Sequence, residues 1–164
     1  MASAATYTPI ATYTVPSATA TYTFTSIPQT YTDLVVIENG ANTATGPNDN
    51  YLTFNGDSGT NYSRTLLYGN GTSALSGRGT SESFLYLAGY WTTSNATSVI
   101  NIMNYSNTTT YKNVLAKDTN AGANAEFAVG LWRSTAAITS VLIGALAGSF
   151  AAGTTFTLYG IAAA

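Results

Sequence analysis

The C-terminal stretch, residues 125–161, constrains the fold of this chain most, because its apolar residues alternate with the two-residue period of β-strands. In its last segment Phe156 and Leu158 point to one side, whereas Thr157 and Tyr159 point to the other. A strand with one apolar side has to pair with, and pack against, strands that precede it. We therefore expect the final strand to be internal to a sheet and to complete the core of an all-β domain.

A second apolar face occurs earlier in this stretch, in residues 126–132. Phe127, Val129 and Leu131 share one side of a strand, and Trp132 begins the opposite side. We expect this strand to supply the core together with the last one.

The rest of the chain consists of short apolar segments separated by turns rich in Gly, Asn and Pro, without a useful length of helical period. Residues 34–37 are apolar on both sides and predict a central strand. Residues 51–54 and 62–68 predict one hairpin, and residues 99–105 and 111–117 predict a second. This spacing predicts a β-sandwich of jelly-roll type.

Two segments are expected to lie outside this regular pattern. Residues 69–80, which are rich in Gly, predict a flexible tip. Residues 1–17 predict an extended N-terminal arm that becomes ordered against another subunit. The remaining residues, 18–164, then form a single β-sandwich domain.

The tripeptide Thr-Tyr-Thr recurs at residues 6–8, 12–14, 21–23 and 30–32. Pro16 and Pro28 interrupt pairing here, which confines these segments to sheet edges or strand ends. The tyrosines either form an aromatic contact face for a partner or cover the sandwich, and the sequence leaves both interpretations open.

Five aromatic side chains are the candidate partner contacts: Tyr7, Tyr13, Tyr22, Tyr90 and Trp91. The last two lie beside Asn-rich loops, and aromatic faces with amide donors suit a saccharide, so a host-surface glycan is one candidate ligand. The alternative is that these two rings belong to the core or its rim.

The composition restricts the chemistry that the chain can perform. It has no cysteine and no histidine, which excludes Ser–His and Cys–His catalysis and thiolate metal sites. The seven acidic residues are dispersed and form no local pair of the kind that glycosidases use, although folding could bring two together. We therefore expect no enzymatic activity, no catalytic residues, no cofactor and no metal.

One polar turn and two arginines can each be explained by structure as well as by function. Asn55, Asp57 and Asn61 have the spacing of a calcium loop, but a single carboxylate and no terminal Glu favour an Asx turn. Arg64 and Arg133 lie within strand patterns, so each should bind a carboxylate or loop carbonyls, with a partner contact as the alternative.

The charge and the apolar pattern of the chain argue against two classes of partner, nucleic acid and membranes. Net charge is −2 and the five basic residues are scattered, which disfavours nucleic acid. No apolar run approaches the roughly 18 residues of a membrane span, and the N-terminus lacks the regions of a signal peptide. Only 7% of residues are charged, so copies of the chain repel one another little and assembly is favoured.

Four ordered segments resemble a recurring family of tailed-phage virion structural proteins: residues 54–64, 102–112, 131–134 and 150–161. Residues 26–34 resemble the family as well. Its members are small standalone virion proteins or distal modules of fibre-like proteins. The resemblance spans most of the chain, implies a place on the virion exterior and carries no catalytic residues. The chain departs from the family at residues 145–147, where Ala-Leu-Ala replaces a more polar turn.

With this resemblance, we expect a capsid decoration or cement protein, assembled in the host cytoplasm and placed on the virion exterior. Expected partners are other copies of the chain, most plausibly in a homotrimer, and the major capsid protein or other virion proteins. The alternative is a receptor-binding module of a tail or head fibre that binds a host-surface glycan. The chain has no repetitive shaft or heptads to project such a tip, which favours decoration.

Overall fold

The structure, a computed structural model, describes residues 6–87, 89, 91–120 and 122–162, and within them it contains β-strands and no helix. The strands are β1 (Tyr7–Thr14), β2 (Thr21–Phe24), β3 (Asp33–Gly40), β4 (Asn50–Phe54), β5 (Tyr62–Gly69), β6 (Ala74–Glu82), β7 (Leu85–Tyr86), β8 (Ala96–Met103), β9 (Lys112–Asn120), β10 (Asn124–Trp132), β11 (Val141–Ala145) and β12 (Thr155–Ile161).

These strands form two antiparallel sheets. One has eight strands in the order β1-β12-β3-β8-β9-β10-β5-β6, and the other has four in the order β2-β11-β4-β7. Their inner faces pack against each other, which confirms the predicted β-sandwich.

The connectivity is that of a jelly roll with two insertions. The strands β1-β12-β3-β8 of the large sheet and the four strands of the small sheet make up the jelly roll. Along the chain these eight strands alternate between the sheets, except that β4 and β7 are neighbours in one sheet, as in a double Greek key. The insertions β5–β6 and β9–β10 pair with each other through β5 and β10 and widen the large sheet by four strands.

The core lies between the sheets and is dominated by aromatic side chains. Trp91, Trp132, Tyr62, Tyr105 and Phe54 are among the largest fully buried side chains. The predicted inner face of the last strand is confirmed, because Phe156 and Leu158 are both 0% exposed. That strand, β12, lies between β1 and β3 and is internal, as predicted. Residues 34–37 are central, as predicted, because β3 lies between β12 and β8.

Of the two predicted hairpins, one is confirmed and one is wrong. β8 and β9 pair as predicted. β4 and β5 belong to different sheets, because their connection continues from one layer of the sandwich to the other. Asn55 and Gly56 begin this crossing with φ angles of 54° and 69°, which Asn and Gly adopt at low cost. The predicted flexible tip is also wrong, since residues 74–82 form β6 against β5.

The apolar face of β10 points outward, contrary to expectation. Phe127 and Val129 are 38% and 42% exposed, whereas Ala128 is buried on the inner side. The inner side uses small residues because β7 lies against it. A Cβ atom on Gly130 would come within 2.3 Å of Leu85 Cδ1, so only glycine leaves room for the leucine.

Most of the N-terminal segment expected to be an arm is part of the domain. Residues 7–14 form β1, an edge strand that pairs with β12 and has an irregularity between Pro9 and Ala11. Val15 is buried, and its N–H donates to the Thr154 carbonyl at 2.8 Å. The segment is ordered within its own chain because β12 offers it a sheet edge.

Candidate functional site

Three of the predicted contact residues lie on the first two strands. Tyr7 is 55% exposed at the edge of the large sheet, with its ring centroid 6.1 Å from that of Tyr159. Tyr13 and Tyr22 are half-buried and stack on each other with centroids 3.9 Å apart and an interplanar angle of 3°. Tyr13 and Tyr22 therefore link the two sheets, which agrees with the interpretation that the tyrosines cover the sandwich. Of these three tyrosines, only Tyr7 is exposed enough to contact a partner.

The predicted saccharide platform does not form around Trp91. This side chain is 0% exposed, and its indole N–H donates to Ser98 Oγ at 3.1 Å, so it cannot contact a partner at the surface. Tyr90 lies outside the described residues. The four predicted residues that the structure describes are not gathered into one surface.

Loops from four parts of the chain meet at one end of the sandwich, which we call the paired end (residues 26–31, 55–61, 104–110 and 132–140). Asp57 is its main acceptor: its carboxylate accepts the Gly59 N–H at 2.8 Å, the Asn61 amide at 2.9 Å and the Trp132 indole N–H at 2.7 Å. Desolvation opposes ionisation of Asp57, but these hydrogen bonds outweigh it and lower the pKa of the carboxyl group. The segment is thus the expected Asx turn.

Hydrogen bonds also join the other loops of the paired end. Asn55 Oδ1 accepts the Thr139 N–H at 2.8 Å, and the Asn55 amide donates to the opposite loop. Tyr105 is fully buried; its hydroxyl donates to the Pro28 carbonyl, and its own carbonyl accepts the Ile138 N–H at 2.9 Å. These hydrogen bonds join loops that are far apart in the sequence.

The cations of this end are also satisfied. Arg133 donates to Ser63 Oγ at 3.0 Å and to the Thr60 carbonyl at 2.6 Å, as predicted. The buried Lys112 ammonium donates to the Thr110 carbonyl at 2.8 Å, and desolvation lowers its pKa. No buried side-chain oxygen or nitrogen of the paired end is left without a partner among the described residues.

A second polar region crosses the middle of the interior, and we call it the interior row. Glu38, Ser98, Asp118 and Glu126 are consecutive cross-strand partners on β3, β8, β9 and β10. Cross-strand partners lie about 5 Å apart and point to the same side of a sheet. Folding therefore places three of the dispersed carboxyl groups in one line between the sheets.

Glu38 is the least compensated member of the row. It is 0% exposed, and its Oε2 accepts the Asn50 amide at 2.8 Å while its Oε1 has no partner. Burial raises the pKa of Glu38 to about 8; the Asn50 hydrogen bond lowers it and the Asp118 charge raises it further. Asp118 in turn accepts the Ser98 hydroxyl at 2.8 Å.

The row ends in a cavity of about 310 Å³, the carboxylate cavity, which is lined by Pro47, Asp49, Leu66, Tyr68, Asn124 and Glu126. Burial raises the pKa of Asp49 to about 6 and that of Glu126 to about 7. Asp49 further raises the pKa of Glu126, which places the two carboxyl groups in one electrostatic environment. Asn124 is 6% exposed, and its Oδ1 has no hydrogen-bond partner.

Arg64 is the cation nearest to this cavity, and other groups already engage it. Its Nε lies 3.3 Å from Glu82 Oε2, although neither atom has hydrogen-bond geometry, and its guanidinium lies 3.7 Å from the Tyr86 ring centroid. The carboxylate partner predicted for Arg64 is confirmed. Its charge lowers the pKa of Asp49, but by less than desolvation raises it.

The opposite side of the large sheet carries what we call the outer apolar face: Leu67, Phe127 and Val129. Leu67 and Phe127 are cross-strand partners, and a groove of about 550 Å³ opens beside them. All the described strands belong to the two sheets, so no third layer of strands covers this face. The only charged side chain directly paired with it on β9 is Lys117.

Within the described ranges, no three carboxylate side chains converge in a way that could hold a metal ion. The same residues include no helix long and apolar enough to cross a membrane.

The sequence contains a signal for the interior row in the alternation of β9 and β10. Asp118 shares the two-residue period of the buried Val114 and Ala116, and Glu126 lies on the side of its strand opposite to the exposed Phe127. The register that brings Glu38, Asp118 and Glu126 into line depends on pairing between four strands, which no local pattern specifies.

Comparison with known proteins identifies no relative that assigns a function. No protein-family model matches the chain, and no curated protein matches it. Among solved structures, a protein of unknown function from Shewanella oneidensis MR-1 aligns over 96% of this chain and 77% of its own, with 10% identity and a TM-score of 0.29. The structure of infectious bursal disease virus Gt strain aligns over 94% of this chain and 42% of its own, with 12% identity and a TM-score of 0.11. Similarity this low carries no argument about fold or function.

Proposed function

We propose that the protein is a non-enzymatic structural component of a phage virion, a capsid decoration or cement protein that stabilises the shell from outside. The observation that carries the proposal is the outer apolar face, where Leu67, Phe127 and Val129 are 59%, 38% and 42% exposed. Adjacent apolar side chains on an open sheet favour a partner, because covering them gains about 25 cal/mol per Å².

The partner that suits this face is another copy of the chain. The face has little charge, and a chain with 7% charged residues has little repulsion to overcome on self-association. A homotrimer matches the local threefold positions of a capsid. Three copies that bury their outer apolar faces would leave other surfaces for the shell.

The edge strand β1 is the surface we assign to the shell. One side of β1 pairs with β12, and none of the described strands pairs with its other side. An open edge can add a strand from another protein through main-chain hydrogen bonds. Tyr7 is exposed at this edge and supplies an aromatic anchor. Such binding stabilises the assembled shell by mass action.

The location of the acidic residues is consistent with a role without catalysis. Two of the three carboxyl groups in the interior row, those of Glu38 and Asp118, are 0% and 1% exposed, so a substrate in solution does not reach them. The chain has no histidine or cysteine to replace them as a general base or nucleophile.

Self-association is tested by the mass of the protein in solution at micromolar concentration. We expect three times the chain mass of 17.0 kDa. The double variant L67S/F127S should shift the mass toward the monomer, whereas Leu146→Ser, which changes an exposed leucine elsewhere, should not. A monomer for all three proteins would contradict assembly through this face.

The place on the virion is tested with capsids assembled without this chain, by co-sedimentation with the purified protein. We expect the protein to coat the capsids at high copy number and Tyr7→Ala to weaken coating, with Tyr111→Ala, at a tyrosine of similar exposure, as the control. Binding to host cells or their glycans with bare capsids would instead support the receptor-binding function. Binding to neither would contradict both.

A further inference from the structure

The carboxylate cavity is built from oxygen atoms that are not fully used. The side chains of Asp49, Tyr68, Asn124 and Glu126 all line it. The Asn124 amide nitrogen is 3.5 Å from Glu126 Oε2, at the limit of a hydrogen bond, and Asn124 Oδ1 has no partner although the residue is only 6% exposed. An unpaired buried carbonyl oxygen is unfavourable, so its presence calls for a ligand that the protein itself does not supply.

We propose that this cavity is a binding site for a divalent cation of the calcium class, held by the carboxylates of Asp49 and Glu126 and by Asn124 Oδ1. Calcium takes six to eight oxygen ligands, which include carboxylates, amide carbonyls and waters. A volume of about 310 Å³ leaves room for the waters that complete such a shell.

The balance of charge around the cavity also calls for a cation. Among the residues that line the cavity, Asp49 and Glu126 carry carboxyl groups, and none is basic. The ion pair with Glu82 and the position over the Tyr86 ring occupy Arg64.

The donor set selects among metals. Every side-chain donor in the cavity is oxygen, and the chain contains no cysteine or histidine, so zinc and copper are disfavoured. Magnesium requires a near-ideal octahedron and releases its waters reluctantly, whereas calcium accepts irregular sites. With two carboxylates and no third converging on the point, the site belongs to the weak class of calcium sites, with a dissociation constant of about 10⁻⁴–10⁻³ M.

The site is also positioned by backbone packing. The Gly89 N–H donates to the Glu126 carboxylate, and the Gly89 backbone packs against the Asp49 and Asn50 backbone so closely that a Cβ atom would lie 3.0 Å from Asn50 N and from Asp49 Cα. Gly89 therefore contacts both Glu126 and the Asp49 backbone. This positioning does not depend on the proposed virion role.

Isothermal titration with calcium chloride on the intact protein at about pH 8 tests the proposal. We expect one calcium ion per chain, with a dissociation constant in the range given above. Glu126→Gln should weaken binding at least about tenfold, because ligand charge sets affinity in such sites. Asn124→Asp should tighten binding for the same reason, an effect that a purely structural role for Asn124 does not produce.

Glu38→Gln is the matched control, since it removes a carboxylate from the same row that does not line the cavity. It should leave calcium affinity unchanged. Far-ultraviolet circular dichroism of each variant confirms folding, and thermal unfolding of the wild type with calcium and then excess chelator gives a second readout that needs no variant. No binding at about 10 mM calcium, ten times the weakest constant expected, would overturn the proposal. Affinity that is unchanged in both Glu126→Gln and Asn124→Asp would overturn it as well.

Discussion

The paired end and the interior row bury polar groups in opposite ways. At the paired end Asp57 accepts donors from Gly59, Asn61 and Trp132. In the row, Glu38 is wholly buried with one donor for two oxygens. A fully matched polar group stabilises the fold, whereas an unmatched one costs free energy. The comparison indicates that the matched polar groups of the paired end stabilise the fold. The unmatched polar groups lie in the interior row and the carboxylate cavity.

The two regions differ in the sign of their pKa shifts as well. Donors outweigh desolvation at Asp57 and lower its pKa, whereas desolvation dominates at Glu38 and raises its pKa to about 8. The contribution of Asp57 to the free energy of unfolding is therefore lost as pH falls, whereas that of Glu38 is lost as pH rises.

The largest expected effect comes from breaking the paired end at its centre. Trp132 is 2% exposed and donates to Asp57. Trp132→Ala should lower the free energy of unfolding by about 3–5 kcal/mol, because it leaves a large cavity and removes a donor. Urea unfolding measures the change. The control is Tyr111→Ala, at a tyrosine that is 51% exposed, and an equally small loss for both would contradict the architectural role.

The next effect should be a gain of stability in the interior row. The pKa of Glu38 is 4.5 in the unfolded chain and about 8 in the folded one, so its contribution is fully present below about pH 4.5 and is lost as pH rises toward 8. We expect Glu38→Gln to be more stable than the wild type at about pH 8 by at least about 1.4 kcal/mol, the value of one pKa unit.

Urea unfolding of both proteins across this pH range tests that expectation. At about pH 4 both side chains are neutral, so the two free energies of unfolding should converge. A wild type whose stability does not change between about pH 5 and 8 would show that Glu38 is not held in the buried position described.

The mirror-image experiment is Asp57→Asn at the paired end. The folded pKa of Asp57 lies below its unfolded value, so its contribution is present above about pH 4 and is lost as pH falls through the folded pKa. Asp57→Asn should therefore cost about 1–2 kcal/mol near neutral pH and less in acid. Unfolding followed by tryptophan fluorescence should report it directly, since Trp132 loses its charged acceptor. A cost that grows in acid would refute the assignment.

Local patterns were sufficient for the parts of the fold that depend on one strand at a time. The alternation in residues 155–161 identified the buried side of β12, and the double-sided apolar run at 34–37 identified a central strand. The connection after Phe54 was misread because a hairpin turn and a crossing between sheets begin with the same Asn-Gly pair. The next strand, β5, joins the large sheet because it pairs with β10, which is distant in the sequence.

The candidate sites depend still more on long-range pairing. Glu38 and Glu126 are far apart in sequence and become members of one row only through the register of β3, β8, β9 and β10. The sequence left Trp91 open between a saccharide platform and the core, and the structure places it in the core, where its indole N–H donates to the buried Ser98 hydroxyl. The outward side of β10 could not be distinguished from a core side by hydrophobicity, because a contact surface and a core use the same apolar residues.

The smallest expected effect on stability belongs to the outer apolar face, and it separates that face from the core. Phe127 is 38% exposed, so Phe127→Ser should change the free energy of unfolding of the dissociated chain by about 0.5 kcal/mol or less. Phe156 is 0% exposed and is the control of the same residue type, because Phe156→Ala should cost about 3–5 kcal/mol. Urea unfolding at low protein concentration, where association does not contribute, measures both. A large loss for Phe127→Ser would mean that this side chain stabilises the single chain, and the conflict between its apolar pattern and its exposure would no longer point to a partner.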